Sequence, residues 1–161
     1  MSTLHSTGIN ISESVREEVA ALLNARVGLF TDLYVQTKLA HWNVRGSHFI
    51  AYHELFDSIA DHLLESQDSM AERAAALGAS AGMTVQQTAE ETRLPAWPIG
   101  TRQDQEVIRL VGERLALAAN LIREDIDTAA NRGDADTADL FTEVSRQLDQ
   151  DLWFVEAHYN L

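Results

Sequence analysis

The sequence predicts an all-α protein: a four-helix bundle with a short extra helix in the crossover between its second and third long helices. Three observations carry this expectation. Apolar residues recur at helical spacing through four long segments. Alanine, leucine and glutamate, all good helix formers, are abundant. The only two prolines, Pro95 and Pro98, share one short stretch, where a long connection between helices is needed. With 45% apolar residues among 161, the chain is long enough for one domain with a core.

Residues 1–11 read as a short flexible tail and residues 12–161 as a single domain. The spacing Ser14-Val15-Arg16-Glu17 offers a capping box to open the first helix. Val19, Leu22, Leu23, Val27, Phe30, Leu33 and Tyr34 then follow helical spacing, which carries this helix to about Asn43. Val44-Arg45-Gly46-Ser47 reads as a turn. The second helix is expected from Ser47 to Gly78, a suitable C-terminal glycine, with Ile50, Phe56, Ile59, Leu63, Met70 and Ala74 on its apolar face. Thr84 and Gln87 suit the cap of a short helix ending near Glu91. Leu94 to Gly100 is an extended crossover. A third long helix is expected from Gln103 to Asn131, ended by Gly133, and a fourth from Thr137 to about Tyr159, capped by Asp136.

Twenty-five acids against twelve bases give a formal charge of −13. Such a surface repels nucleic acid and anionic membranes and attracts cations. The absence of cysteine excludes a disulfide framework and thiolate metal ligands, and fits a reducing cytoplasm. Met1 to Ile11 lacks the basic start and apolar core of a signal peptide. No apolar run approaches the roughly 20 residues of a membrane span. A cytoplasmic protein is expected.

The second helix carries chemistry. His53 and Asp57 stand four residues apart, and so do Asp68 and Glu72, so each pair projects from one helix face as a two-pronged ligand set. Imidazole nitrogen with carboxylate oxygen suits a transition metal such as iron. Asp57 and Asp68 are separated by roughly 16 Å along the axis, too far to share an ion. All four nevertheless fall within an arc of about 100°, on one stripe. Two copies of the helix running antiparallel about a two-fold axis would set His53 and Asp57 of one against Asp68 and Glu72 of the other, twice over. The turn near Gly46 brings His41 to a similar height as His53.

The stretch Lys38-Leu39-Ala40-His41-Trp42-Asn43-Val44-Arg45-Gly46, continuing through Phe49, His53, Phe56 and Asp57 to Asp68-Ser69-Met70-Ala71-Glu72-Arg73, resembles the Dps family of mini-ferritins. Asp134-Ala135-Asp136-Thr137-Ala138-Asp139 and Leu152-Trp153-Phe154-Val155-Glu156-Ala157 are similar to the family's last helix, so the likeness runs from about Glu17 to Ala157. The resemblance implies a ferritin-like bundle assembled through two-fold and three-fold interfaces into a hollow homododecamer. It implies a ferroxidase: an enzyme that binds Fe(II) at sites shared between subunits, oxidises it, usually with hydrogen peroxide, and stores ferric iron inside. That activity limits oxidative damage. His41, His53 and Asp57 match the ligands of one subunit, and Asp68 and Glu72 those of its two-fold partner. All five serve as metal ligands and catalytic residues on this reading, with zinc as a competing occupant. Ferritins with an intrasubunit di-iron centre use Glu-x-x-His, which occurs nowhere in this chain.

Trp42 is expected beside the site, placed to intercept a radical or simply to pack the helix end. Asp134 and Asp139 are candidates for lining a three-fold pore that admits iron, since a ring of carboxylates focuses cations. Tyr34, Tyr52, Trp153 and Phe154 read as core or interface residues. His5, His48, His62 and His158 have no evident partner set, and Asp61 reads as an outer group near the site or a solvated one. Some family members condense DNA through lysine-rich tails, and a nucleoid DNA-binding role is the alternative function. Here Met1 to Glu13 holds no lysine or arginine and Lys38 is the only lysine, so DNA binding is not expected.

Overall fold

The computed structural model describes residues 4–159. Its elements are α1 (Glu13–Asn43), α2 (Phe49–Ala76), α3 (Val85–Glu91), α4 (Asp104–Asn131) and α5 (Ala135–Glu156). Among the described residues there is no strand beyond an isolated bridge between Arg45 and Gln103. No helix among the described residues is long and apolar enough to cross a membrane.

Side-chain bonds between helices give their directions. Gln67 of α2 donates to Val27 O of α1 at 3.1 Å, while His41 and His53 meet at the other end, so α1 and α2 form an antiparallel hairpin. Arg123 of α4 bonds Asp149 of α5 at 2.7 Å, the signature of a second hairpin. Arg26 meets Asp125 and Gln36 meets Arg114, so α1 also opposes α4. It follows that α2 and α4 run parallel. That arrangement needs the long crossover, in which α3 packs on α1. The core between the hairpins holds Phe30 and Leu33 of α1, Phe56, Ile59 and Leu63 of α2, Ile108 and Leu115 of α4, and Phe141 of α5, all fully buried. Each contributes about 1.5–3 kcal/mol by leaving water.

Two connections are set by glycines. At Gly46 φ is +146°, and an added Cβ would lie 2.3 Å from Asp104 Oδ2, so the turn tolerates no side chain there. That closeness lets Arg45 exchange backbone bonds with the start of α4: Arg45 N donates to Arg102 O at 2.7 Å and Asp104 N to Arg45 O at 2.9 Å. At Gly78 φ is +94° and a Cβ would meet His5 O at 2.4 Å. There the N-terminal segment docks, with His5 N donating to Gly78 O at 2.7 Å and Arg16 reaching Leu77 O at 2.8 Å. The described part of the tail, residues 4–11, is therefore tied to the end of α2, where the sequence suggested a flexible segment; residues 1–3 lie outside the described residues.

Three local expectations change. The box at Ser14 does not form. α1 begins after Ser12, whose side chain makes no capping bond, because the docked Arg16 fixes the incoming chain: its Nε also holds Ile11 O at 3.3 Å. Asp134, not Asp136, caps α5. Its carboxylate accepts from Thr137 N at 3.1 Å and from Thr137 Oγ1 at 2.6 Å, and it pairs with Arg73 of α2 at 2.7 Å. α5 also ends at Glu156, short of Tyr159. The box at Thr84 and Gln87 is present as expected.

Candidate metal centre at the first helical turn

His41 ends α1 and His53 lies in the first turns of α2, and the intervening turn stacks their rings with centroids 3.7 Å apart and planes 19° from parallel. Each ring is locked by the other residue's backbone. His41 Nδ1 donates to His53 O at 2.7 Å, and His53 Nδ1 donates to His41 O at 2.9 Å. A carbonyl oxygen only accepts, so both Nδ1 atoms carry hydrogen. In the neutral rings both Nε2 lone pairs are then free, the tautomer and orientation a metal ligand requires.

Asp57 completes the group, its Oδ1 3.8 Å from His41 Nε2. It also accepts a short hydrogen bond from Lys38 Nζ. That bond is the largest of the causes that hold the Asp57 carboxyl below the usual carboxylate range; desolvation, second in size, opposes it, and the charge of Lys38 adds to the lowering, with smaller contributions from His41 and His53 in their protonated forms. Asp57 is therefore ionised at neutral pH. Lys38 is the residue that sequence reasoning missed here. It stands three before His41 and so on the same helix face, a signal that was legible.

Asp68 and Glu72 lie further along α2, both exposed, and the chain does not bring them to the first group. Among the described residues no three histidine, aspartate or glutamate side chains gather closely enough to hold a metal. The single chain thus stacks His41 on His53 with Asp57 beside His41, short of a closed ligand set, and leaves Asp68 and Glu72 exposed further along α2.

The remaining candidates divide. Trp42 is 64% exposed, its ring 5.9 Å from Lys38 Nζ. Asp139 is exposed, whereas Asp134 is 1% exposed and spent on Arg73 and the helix cap, which removes it as a pore-lining carboxylate. Tyr52 is buried and accepts from Gln105 at 3.1 Å; Trp153 and Phe154 are exposed neighbours. Asp61 is exposed. Two histidines do have partners. His48 meets Asp104 at 3.0 Å and lowers its carboxyl, chiefly through the His48 backbone N–H. His62 Nδ1 donates to the buried Asp151 at 2.9 Å, whose carboxyl burial pushes up. His158 sits edge-on to Tyr52 at 4.8 Å.

The chain is similar to known proteins over nearly its whole length. Residues 20–161 match the ferritin-like domain. The DNA protection during starvation protein of Agrobacterium fabrum is 38% identical over 154 residues, covering 96% of this chain and 95% of that protein. Among solved structures, DpsC from Streptomyces coelicolor superposes with a TM-score of 0.92 at 28% identity, covering 97% of this chain and 91% of that one. Dps from Microbacterium arborescens, solved in a high iron form, superposes with a TM-score of 0.87 at 35% identity, covering 98% and 100%. The chain belongs to the Dps family of mini-ferritins within the ferritin-like proteins.

Proposed function

We propose that this protein is a ferroxidase mini-ferritin, a cytoplasmic homododecamer that oxidises Fe(II) at sites shared across two-fold interfaces and stores the ferric product inside. The observation that carries this reading is the reciprocal lock of His41 and His53, which commits both Nδ1 atoms to backbone carbonyls and keeps both Nε2 atoms out of that bonding, beside Asp57. Asp68 and Glu72 of the partner subunit complete the set, and their outward exposure in one chain supports that assignment. Apolar residues such as Val85 and Ile99, 75% and 85% exposed, are suited to contacts between subunits.

Nitrogen ligands retain Fe(II), and carboxylate oxygens favour Fe(III), so the mixed set eases the loss of an electron. With hydrogen peroxide as oxidant, two Fe(II) each give one electron, the O–O bond breaks, and two protons complete two waters. Consuming both reactants suppresses hydroxyl radical. Exposed Asp139 is proposed to help draw cations through a three-fold pore, and Trp42 to sit where it can intercept a stray radical. Zinc fits the same ligands and is expected to compete. The charge of −13 and the scarcity of lysine argue against DNA binding as the main role.

The test is direct. Fe(II) is added anaerobically to the purified assembly, peroxide follows, and ferric absorbance and retained iron are measured. We expect rapid oxidation with iron kept in the shell, lost in a His53→Ala/Asp57→Ala variant that still assembles. Oxidation no faster than in buffer, with no iron retained, sinks the proposal.

A further inference from the structure

We propose that the groove between α2 and α5 is a separate site for a divalent transition-metal cation, bound through His62 Nε2 and the carboxylates of Glu65 and Glu143, with Asp151 orienting the imidazole. The site lies away from the turn between α1 and α2 and is independent of the ferroxidase reading. The groove has a volume of about 360 Å³, and His62, Glu65, Glu143, Arg146 and Gln147 are among the residues that line it. Asp151 is the unusual member of the group. Its side chain is 2% exposed, against 34% for His62. His62 Nδ1 donates towards both of its oxygens, at 2.9 and 3.2 Å, and Gln147 Nε2 donates to Oδ1 at 3.2 Å. Among the described residues His62 is its one ion-pairing partner.

Burying a carboxylate is costly, and an apolar pair of similar volume would seal α2 against α5 without that cost. What the pair provides is direction. With Nδ1–H committed to Asp151, the lone pair of the neutral ring lies on Nε2, at the edge turned away from the buried carboxylate. A carboxylate behind a histidine in this way fixes the tautomer and raises the basicity of a metal ligand. Glu65 stands three residues after His62 on α2, and Glu143 four before Gln147 on α5, so both carboxylates belong to the faces that meet at the groove. Both are exposed, and neither makes an ion pair among the described residues. Arg146 is the one fixed positive charge lining the groove, and the two carboxylates outweigh it. The three ligands are not gathered as a closed set in the single chain, so Glu65 and Glu143 must swing in on an ion. That ordering costs affinity and points to micromolar rather than nanomolar binding. Imidazole with carboxylate selects Co(II) or Zn(II) over Mg(II).

The test uses the His53→Ala/Asp57→Ala assembly, in which the other centre is disabled, titrated with Co(II) under argon and read by calorimetry and cobalt absorption. One Co(II) per chain is expected to bind, undisturbed by an equal concentration of Mg(II). Adding His62→Gln is expected to weaken that binding by at least about tenfold. Asp151→Asn, which keeps the volume and removes the charge of a positioning residue, is expected to weaken it by about ten- to hundredfold. Glu65→Gln/Glu143→Gln changes only exposed side chains and is expected to cost at least about tenfold. Sedimentation confirms that each shell is intact, and the glutamate variant carries the test should Asp151→Asn not assemble. No Co(II) bound up to about 1 mM would overturn the proposal, as would affinities within about twofold of the parent assembly in both the His62→Gln and the glutamate variants. The expected pattern would support this site whether or not the wild-type assembly oxidises iron, so the two readings fail separately.

Discussion

Inside the bundle, buried charge has been answered by the same chain; along the outward stripe of α2 it has been left open. Arg26 and Asp125 are both buried and joined through two hydrogen bonds across α1 and α4. Arg114 is buried with Gln36, two crossover carbonyls and the face of Trp97 around it. Asp134 has Arg73, and Asp151 has His62. By contrast, Asp68 and Glu72 are exposed and make no ion pair among the described residues. Desolvation explains the difference. A buried charge without a partner costs several kcal/mol, so interior positions keep only those pairs that close within the fold. Surface carboxylates carry no such penalty and remain available to a metal and to another subunit.

That contrast yields predictions ordered by expected effect on stability. The largest belongs to Asp125→Ala, which strands a buried guanidinium. It is expected to destabilise the fold by about 3–5 kcal/mol in chemical denaturation, with Arg26→Met/Asp125→Leu less damaging than either half alone. A single-site loss below about 1 kcal/mol would mean that the pair contributes no more than a surface bridge. Next comes Asp134→Ala, which removes the cap of α5 and the partner of Arg73 together. About 2–3 kcal/mol is expected, measured by the shift in denaturation midpoint.

A third effect depends on pH. His48 and neighbouring backbone N–H groups hold the carboxyl of Asp104 low. A carboxyl depressed in the folded state stabilises above its unfolded value, near 3.9, and that contribution is lost as pH falls through the lower folded value. Asp104→Asn is therefore expected to flatten the loss of stability below about pH 4 while loosening the link between α4 and the first turn. An unchanged acid limb would show that other carboxylates control it. The smallest effect is expected from Asp68→Asn/Glu72→Gln. Stability should stay within about 0.5 kcal/mol of the wild type, while Co(II) affinity falls by at least about tenfold. A large loss of stability there would assign the two residues to the fold and erase the contrast.

The same contrast explains what could be read from the chain beforehand. Helical periodicity and the Thr84–Gln87 box are local, and both were legible. The ligand stripe was legible because four-residue spacing is itself helical geometry. The cap of α5 was not, because Asp134 and Asp136 suit the role equally until Arg73, distant in sequence, selects one. The partner of His62 lies 89 residues away and left no local trace. Lys38 stood in plain view, but its contact with Asp57 depends on how α1 and α2 pack. Packing also produced the ring lock, since spacing set the heights of His41 and His53 without revealing that each backbone orients the other's imidazole.

The separation of the two ligand pairs along α2 has a genetic corollary. On the proposed sharing of sites, a chain lacking His53 and Asp57 still offers Asp68 and Glu72, and a chain lacking Asp68 and Glu72 still offers the histidine side. Each mutant allele alone is null. Expressed together they form mixed dimers in which one site collects both defects and the other none. Two inactive alleles would then complement each other, and the activity recovered would measure how often unlike chains pair.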